Sequence, residues 1–195
     1  QRTPMTRLVL ASTSPWRLKL LNEAGIVVDA AAPLIDEEKI VGPGPVETAQ
    51  MRALAKAQSV AEHHSDALVV GADQVIHMDG ETIGKPPDDA IWLQRLQAMR
   101  GRTHQLTTAV ALVDRAGSEE FTVTTEVRFR GDLTDEELQS YIACGEAREC
   151  AGGYMIERRG AWLVESIQGD WLNVIGLPVL HLVSRLRARG WSVPS

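Results

Sequence analysis

The sequence predicts an α/β fold, a mixed sheet flanked by helices and arranged as two lobes around a central cleft. Three observations predict it. Segments with helical apolar spacing alternate with strand-like segments. Ala67–Ala72 is apolar throughout, the pattern of a strand covered on both faces. Gln105–Val113 and Glu119–Phe129 alternate over lengths that suit two long antiparallel strands, with Asp114–Ser118 between them.

The elements follow in order. Leu8–Ala11 reads as a buried strand, Ser12–Ser14 as a hydroxyl turn, and the next segment as a helix with Ser14 as N-cap and Pro15 in its first position; Gly25 stops it. Arg17 and Lys19 oppose the helix dipole there, which makes sense if an anion sits in front of the turn. Val27–Pro33 is a second strand, Asp36–Glu38 a loop, and Gly42–Pro45 a turn into a helix reaching His63. That helix carries Val46, Ala49, Ala53, Leu54, Ala57, Val60 and Ala61 on one stripe, with Lys56 at its border. Asp73 stands at the end of the Ala67–Ala72 run, and Asp79-Gly80 marks a hairpin between Val75–Met78 and Thr82–Ile83. Asp88 caps a helix through Met99 with Ile91, Leu93 and Leu96 inward, and Gly101 ends it. Thr134 and Glu137 form a capping box for a helix ending near Gly145. Ala161–Ile167 reads as a strand, and Gly176-Leu177-Pro178 introduces a last helix that stops at Gly190. Trp92 and Trp162 are assigned to the core.

Composition narrows the function. At 195 residues, 44% hydrophobic and 24% charged, the chain has the profile of a soluble globular protein with a full core. Its apolar runs are shorter than a membrane span. No secretory signal opens it, so the cytoplasm is the expected compartment; Met5 reads as the natural start, with Gln1–Pro4 an addition or extension. Cys144 and Cys150 read as free thiols rather than a disulfide. The net charge of −6 argues against a nucleic-acid surface, and an anionic ligand would need locally concentrated cations or a metal.

Several charged residues stand where packing does not ask for them. Asp73 ends an apolar strand, where ligands bind in open α/β sheets, although it could equally cap the next turn. Lys85, between Gly84 and Pro86, is a rigidly mounted ammonium or a solvated loop charge. Arg17 and Glu37 complete a set that suits a nucleotide polyphosphate, with cations on phosphates and carboxylates on Mg²⁺. On its spacing alone Lys56 is an ordinary helix-flank lysine. Trp16, beside Arg17 and the hydroxyl turn, is placed to stack on a base. The five histidines lack close metal spacing.

Ser12-Thr13-Ser14-Pro15-Trp16-Arg17, Gly71-Ala72-Asp73-Gln74-Val75, Gly84-Lys85-Pro86, Gly101-Arg102-Thr103-His104, Ala151-Gly152-Gly153-Tyr154 and Gly176-Leu177-Pro178 occur in the order seen in the Maf family, which the chain resembles over nearly all of Leu8–Arg187. The resemblance implies a single Maf/ITPase-like domain over residues 5–190. It also implies a nucleoside triphosphate pyrophosphatase that splits the α–β phosphoanhydride as house-cleaning of the nucleotide pool. With it come a divalent metal (Mg²⁺ or Mn²⁺), a cytoplasmic location and a homodimer, with no nucleic-acid or membrane partner. Asp73 matches the family's proton acceptor; Ser12, Arg17, Lys56 and Lys85 match phosphate positions; and Glu37 matches an acidic position, so Glu37 and Asp73 become the expected metal ligands. Trp16, Gln74 and Glu157 resemble the specificity trio of the 7-methyl-GTP branch. An indole face attracts the cationic 7-methylguanine ring, and a carboxylate accepts from its N–H groups. Beside Arg158 and Arg159, Glu157 also reads as a plain solvated carboxylate. The tail Gly169–Pro178 looks more like the dTTP/UTP branch, which is the alternative within the family. A non-catalytic nucleotide-binding regulator of septum formation is the alternative outside catalysis.

Overall fold

A computed structural model describes residues 7–192; Gln1–Pro4 and Met5 lie outside the described residues. In chain order the elements are β1 (Leu8–Ala11), α1 (Pro15–Glu23), β2 (Asp29–Ala31), a 3-10 turn (Glu37–Lys39), α2 (Pro45–Ala61), β3 (Leu68–Met78), β4 (Glu81–Thr82), α3 (Asp89–Met99), β5 (Thr103–Asp114), β6 (Gly117–Phe129) and α4 (Asp135–Cys144). Two further 3-10 turns (Ala151–Gly153 and Arg159–Trp162), β7 (Val164–Gln168), α5 (Trp171–Ile175) and α6 (Val179–Ala188) complete them. The strands form a mixed sheet in the order β2-β1-β3-β5-β6-β7, with β4 paired to β3. β1 runs parallel to both β2 and β3; β4 is antiparallel to β3, and β7 to β6. β5 and β6 are neighbours joined by two residues, a connection short enough only for an antiparallel pair.

The described chain divides into two compact units, one of residues 7–74, 108–123 and 172–192, the other of residues 75–107 and 124–171. In the first, strand alternation sorts the core. Leu8 and Leu10 of β1, with Leu68, Val70 and Ala72 of β3, cluster with Leu20 and Leu21 of α1 and with Leu182 and Leu186 of α6. The intervening positions face the other way, onto α2. A Cβ at Gly71 would stand 2.8 Å from the Ala57 nitrogen and against the Ala53 carbonyl, so only glycine lets α2 lie this close. In the second unit Trp92 of α3 is fully buried and meets Tyr141 of α4 edge to face at 6.3 Å. Its indole N–H donates to the Gly153 carbonyl at 2.8 Å.

Local signals held where they rest on short-range chemistry. The Ser14 hydroxyl accepts from the Arg17 backbone N–H at 3.4 Å, Asp88 accepts from that of Ile91 at 2.8 Å, and the Thr134–Glu137 capping box forms. Asp79 and Gly80 both take positive φ, as a type I′ hairpin turn requires, with His77 opposite Thr82. Five readings need correction. Asp73 does not end its strand: β3 continues to Met78, because Asp73-Gln74 interrupts the apolar run but not the extended backbone. β2 is only three residues long. Ala161–Ile167 starts as a 3-10 turn, and its strand begins at Val164. Trp162 is not core; it is 80% exposed, because that 3-10 turn carries it outward. Lys19 faces solvent and pairs with Glu23 at 3.8 Å, so only Arg17 of the two early cations turns inward.

Candidate active site

The first unit holds seven of the expected residues, Ser12, Trp16, Arg17, Glu37, Lys56, Asp73 and Gln74. Ala11 pairs with Gly71, so Ser12 leaves β1 level with Ala72 and Asp73. The Ser12 hydroxyl accepts from the Ser14 N–H at 3.1 Å, which folds the turn back on itself. From the first turn of α1 the Arg17 side chain reaches inward. Its Nε donates to the Gly176 carbonyl at 2.9 Å and one Nη to the Ala72 carbonyl at 3.0 Å. These two bonds tie α1 to β3 and to the approach of α6, and leave three N–H donors for a ligand. Burial lowers the Arg17 pKa, while Asp73 and Glu37 oppose the shift; a guanidinium stays charged regardless.

Lys56 lies at the centre. Its side chain is 7% exposed; the ammonium donates to Asp73 Oδ1 at 2.8 Å and more weakly to the Ala72 carbonyl at 3.5 Å, and forms an ion pair with Glu37 Oε2 at 2.9 Å. Asp73 is 13% exposed and Glu37 43%. Strand alternation aims Asp73 at the α2 face, where Lys56 waits. Glu37 is brought there by a loop laced to α2. The Leu34 N–H donates to Ser59 Oγ at 3.3 Å, Arg52 Nε donates to the Ile40 carbonyl at 3.0 Å, and the Gly42 N–H donates to Thr48 Oγ1 at 2.9 Å. The helix-flank reading of Lys56 is therefore corrected: it is a buried ion-pair centre.

Gln74 points to the opposite face of β3. Its amide nitrogen donates to the Asn173 carbonyl at 2.6 Å and to Thr108 Oγ1 at 3.2 Å. A main-chain carbonyl accepts only, so this contact fixes which end of the amide is nitrogen. Both hydrogens are then in use, and what Gln74 offers a ligand is its carbonyl oxygen. Asn173 is itself anchored through its amide to the Val123 carbonyl at 3.0 Å. Trp16, on the exposed side of α1, is 37% exposed.

Lys85 and Glu157 belong to the second unit. Lys85 is exposed and pairs with Glu149 at 2.9 Å. Its loop is pinned by Arg95, whose Nη1 donates to the Gly84 and Lys85 carbonyls at 3.1 and 2.8 Å. Glu157 is exposed. It helps to raise the Cys150 thiol pKa, an effect led by burial and opposed by Lys85. Cys144 and Cys150 are free thiols. The partners missing from the sequence reading are Glu149, Thr108, Asn173 and the Gly176 carbonyl. Asn173 alone had a signal, a buried-type amide within an otherwise apolar helical turn.

The expected metal ligands do not form a cation cage. Among the described residues there is no group of three or more His, Cys, Asp or Glu side chains that could hold a metal. The two expected carboxylates, Glu37 and Asp73, converge on the same ammonium. Two carboxylates whose facing oxygens are already paired with a lysine do not fit a resident, protein-held divalent ion.

A buried cation between carboxylates, a second inward-turned cation and a hydroxyl turn thus meet beside the end of β1. The family model described as Maf-like protein matches residues 7–189, and the chain belongs to the Maf family. It is 39% identical over 189 residues to the dTTP/UTP pyrophosphatase of Dictyoglomus turgidum, covering 95% of this chain and 97% of that protein. It is 41% identical over 193 residues to the dTTP/UTP pyrophosphatase of Symbiobacterium thermophilum, covering 97% of each. In structure it has a weak likeness to the Ham1 protein of Staphylococcus aureus, with a TM-score of 0.48 and 14% identity over 65% of this chain and 73% of that one.

Proposed function

We propose that the protein is a nucleoside triphosphate pyrophosphatase, hydrolysing the α–β phosphoanhydride to a nucleoside monophosphate and pyrophosphate. The observation that carries the proposal is the meeting of Asp73, Lys56 and Arg17, from β3, α2 and α1, beside the Ser12 turn. Arg17 keeps donors to spare for phosphate oxygens, and Ser12 retains its hydroxyl hydrogen. Asp73 Oδ1 is held by Lys56, which leaves Oδ2 to take the proton of an attacking water. The water oxygen bonds to the α-phosphorus as the bond to the bridging oxygen breaks. That oxygen keeps the electron pair and leaves with pyrophosphate. Lys85 is assigned to the leaving phosphates. The relatives' names support the same reaction.

The nucleotide is assigned by what the base must present. The free carbonyl of Gln74 accepts from an imino N–H, which guanine, thymine and uracil carry and cytosine and adenine do not. Among these bases Trp16 and Glu157 favour the cationic 7-methylguanine, through an indole face and a carboxylate. A second reading, dTTP or UTP, is favoured by relatives of about 40% identity that bear that name over nearly the whole chain. The cytoplasm and a homodimer complete this reading as the family resemblance gives it.

The test is pyrophosphate release from 7-methyl-GTP, GTP, dTTP, UTP and CTP with Mg²⁺ or Mn²⁺, for the wild type, Asp73→Asn and Trp16→Arg. Asp73→Asn should lower kcat by about 10²–10⁴ with the fold intact. Preference for 7-methyl-GTP that collapses in Trp16→Arg supports the first nucleotide; preference for dTTP or UTP selects the second. Binding without turnover of any nucleotide would overturn the enzyme and leave a regulator of septum formation.

A further inference from the structure

We infer that Glu37 and Asp73 form no divalent-metal site of their own, and that a metal reaches them only as part of a metal–nucleotide complex, because Lys56 occupies the cation position between them. What brings the metal rests on the pyrophosphatase reading; the state of the carboxylates without nucleotide does not.

The geometry is specific. The Lys56 ammonium donates to Asp73 Oδ1 and to the Ala72 carbonyl and pairs with Glu37 Oε2 at 2.9 Å. The lysine is 7% exposed, so it does not swing freely into solvent to vacate that position. Local charge argues the same way. Arg17 feels both Asp73 and Glu37, so the two carboxylates face two basic side chains, Arg17 and Lys56, and the formal charges balance. A bare divalent ion would add two positive charges beside an ammonium and a guanidinium, with nothing left to balance them. A triphosphate reverses this, because its oxygens supply both the missing ligands and the missing negative charge. Mg²⁺ is ordinarily held this way, by one or two carboxylates together with substrate phosphates. Lys56 stays paired with both carboxylates, so the arriving complex brings the metal with ligands and charge of its own.

The inference is tested by titrating the apoprotein with Mn²⁺, following the free-ion electron paramagnetic resonance signal with no nucleotide present. The wild type should leave the signal of the free ion unchanged. Lys56→Met, which removes the ammonium and keeps the apolar stem, should bind Mn²⁺ at least about tenfold more tightly than the wild type, because the two carboxylates then face one cation, Arg17, instead of two. Lys56→Gln serves where the methionine variant does not fold, and a Glu37→Gln change added to either should abolish the gain. Stoichiometric Mn²⁺ binding by wild-type apoprotein would overturn the inference. So would a folded Lys56 variant that binds no more tightly than the wild type. The pyrophosphatase reading fails separately, through absence of pyrophosphate release, so the two failures are read in different experiments.

Discussion

Arg17 is where single-residue chemistry weighs most. Its guanidinium bridges two carbonyls from distant parts of the chain, Gly176 and Ala72, which a lysine ammonium does not span with the same fork. Arg17→Lys should therefore lose one buried charged hydrogen bond, worth about 1.5–3 kcal/mol, and lower both the melting temperature and kcat/KM. Calorimetry and steady-state kinetics on one preparation check this; an unchanged melting temperature would show that the bridge is not structural. His104 predicts a pH effect. It is fully buried among Phe129 and Tyr154, with Nε2 2.6 Å from the Tyr154 hydroxyl and no partner at Nδ1. Burial, with His77 nearby, pulls its pKa down to about 4. Below about pH 6.5 the unfolded chain takes up a proton that the folded protein refuses, so stability falls with pH until about pH 4. The loss from this group at pH 5 is about 2 kcal/mol. Urea midpoints at pH 7.5 and 5 should differ less in His104→Gln than in the wild type; equal differences would place the titration elsewhere. Residues with a local signature, such as Ser14 and Asp88, were legible in the sequence. Lys56 was not, because its helical spacing says nothing about Glu37, whose loop is brought in by bonds to Ser59, Arg52 and Thr48.

At the scale of elements, the site depends on how closely α2 lies on β3, and Gly71 sets that distance. Gly71→Ala would drive a methyl group into the Ala53 carbonyl and to 2.8 Å from the Ala57 nitrogen, both backbone atoms that cannot yield singly. The helix must shift, at a cost of about 1–3 kcal/mol or more, and Lys56 moves with it relative to Asp73. Activity should fall by more than the stability loss explains, measured as kcat at a temperature where the variant is fully folded. Full activity there would mean that the Lys56–Asp73 contact tolerates the shift. Helices were legible because caps and apolar spacing are local, as at α3 and α4. Strand ends were less so. β3 runs through two polar residues because Gln74 is paid back by Asn173 and Thr108, and Asp73 by Lys56, none of them neighbours in sequence. The five residues of α5 are too few for a periodic signal.

Across the whole molecule, alternating helices and strands were enough to give the fold class, since periodicity survives averaging over many segments. The division into units was not readable, because it follows no boundary in composition. The first unit is assembled from three stretches of chain and the second from two, and the chain passes from one to the other within β3, β5, β6 and α5. A unit built this way cannot be released by one cut, and neither has a contiguous sequence to fold on. Unfolding one would strip the other of the strand halves that continue into it. The expected outcome is a single thermal transition in which the calorimetric and van't Hoff enthalpies agree. Limited proteolysis should likewise yield no stable fragment corresponding to either unit. Two resolved transitions, or a protected fragment confined to residues 124–171, would show that the shared strands do not enforce cooperativity. In that case the Lys56 cluster, which lies entirely within the first unit, could melt while the Lys85 loop stays folded.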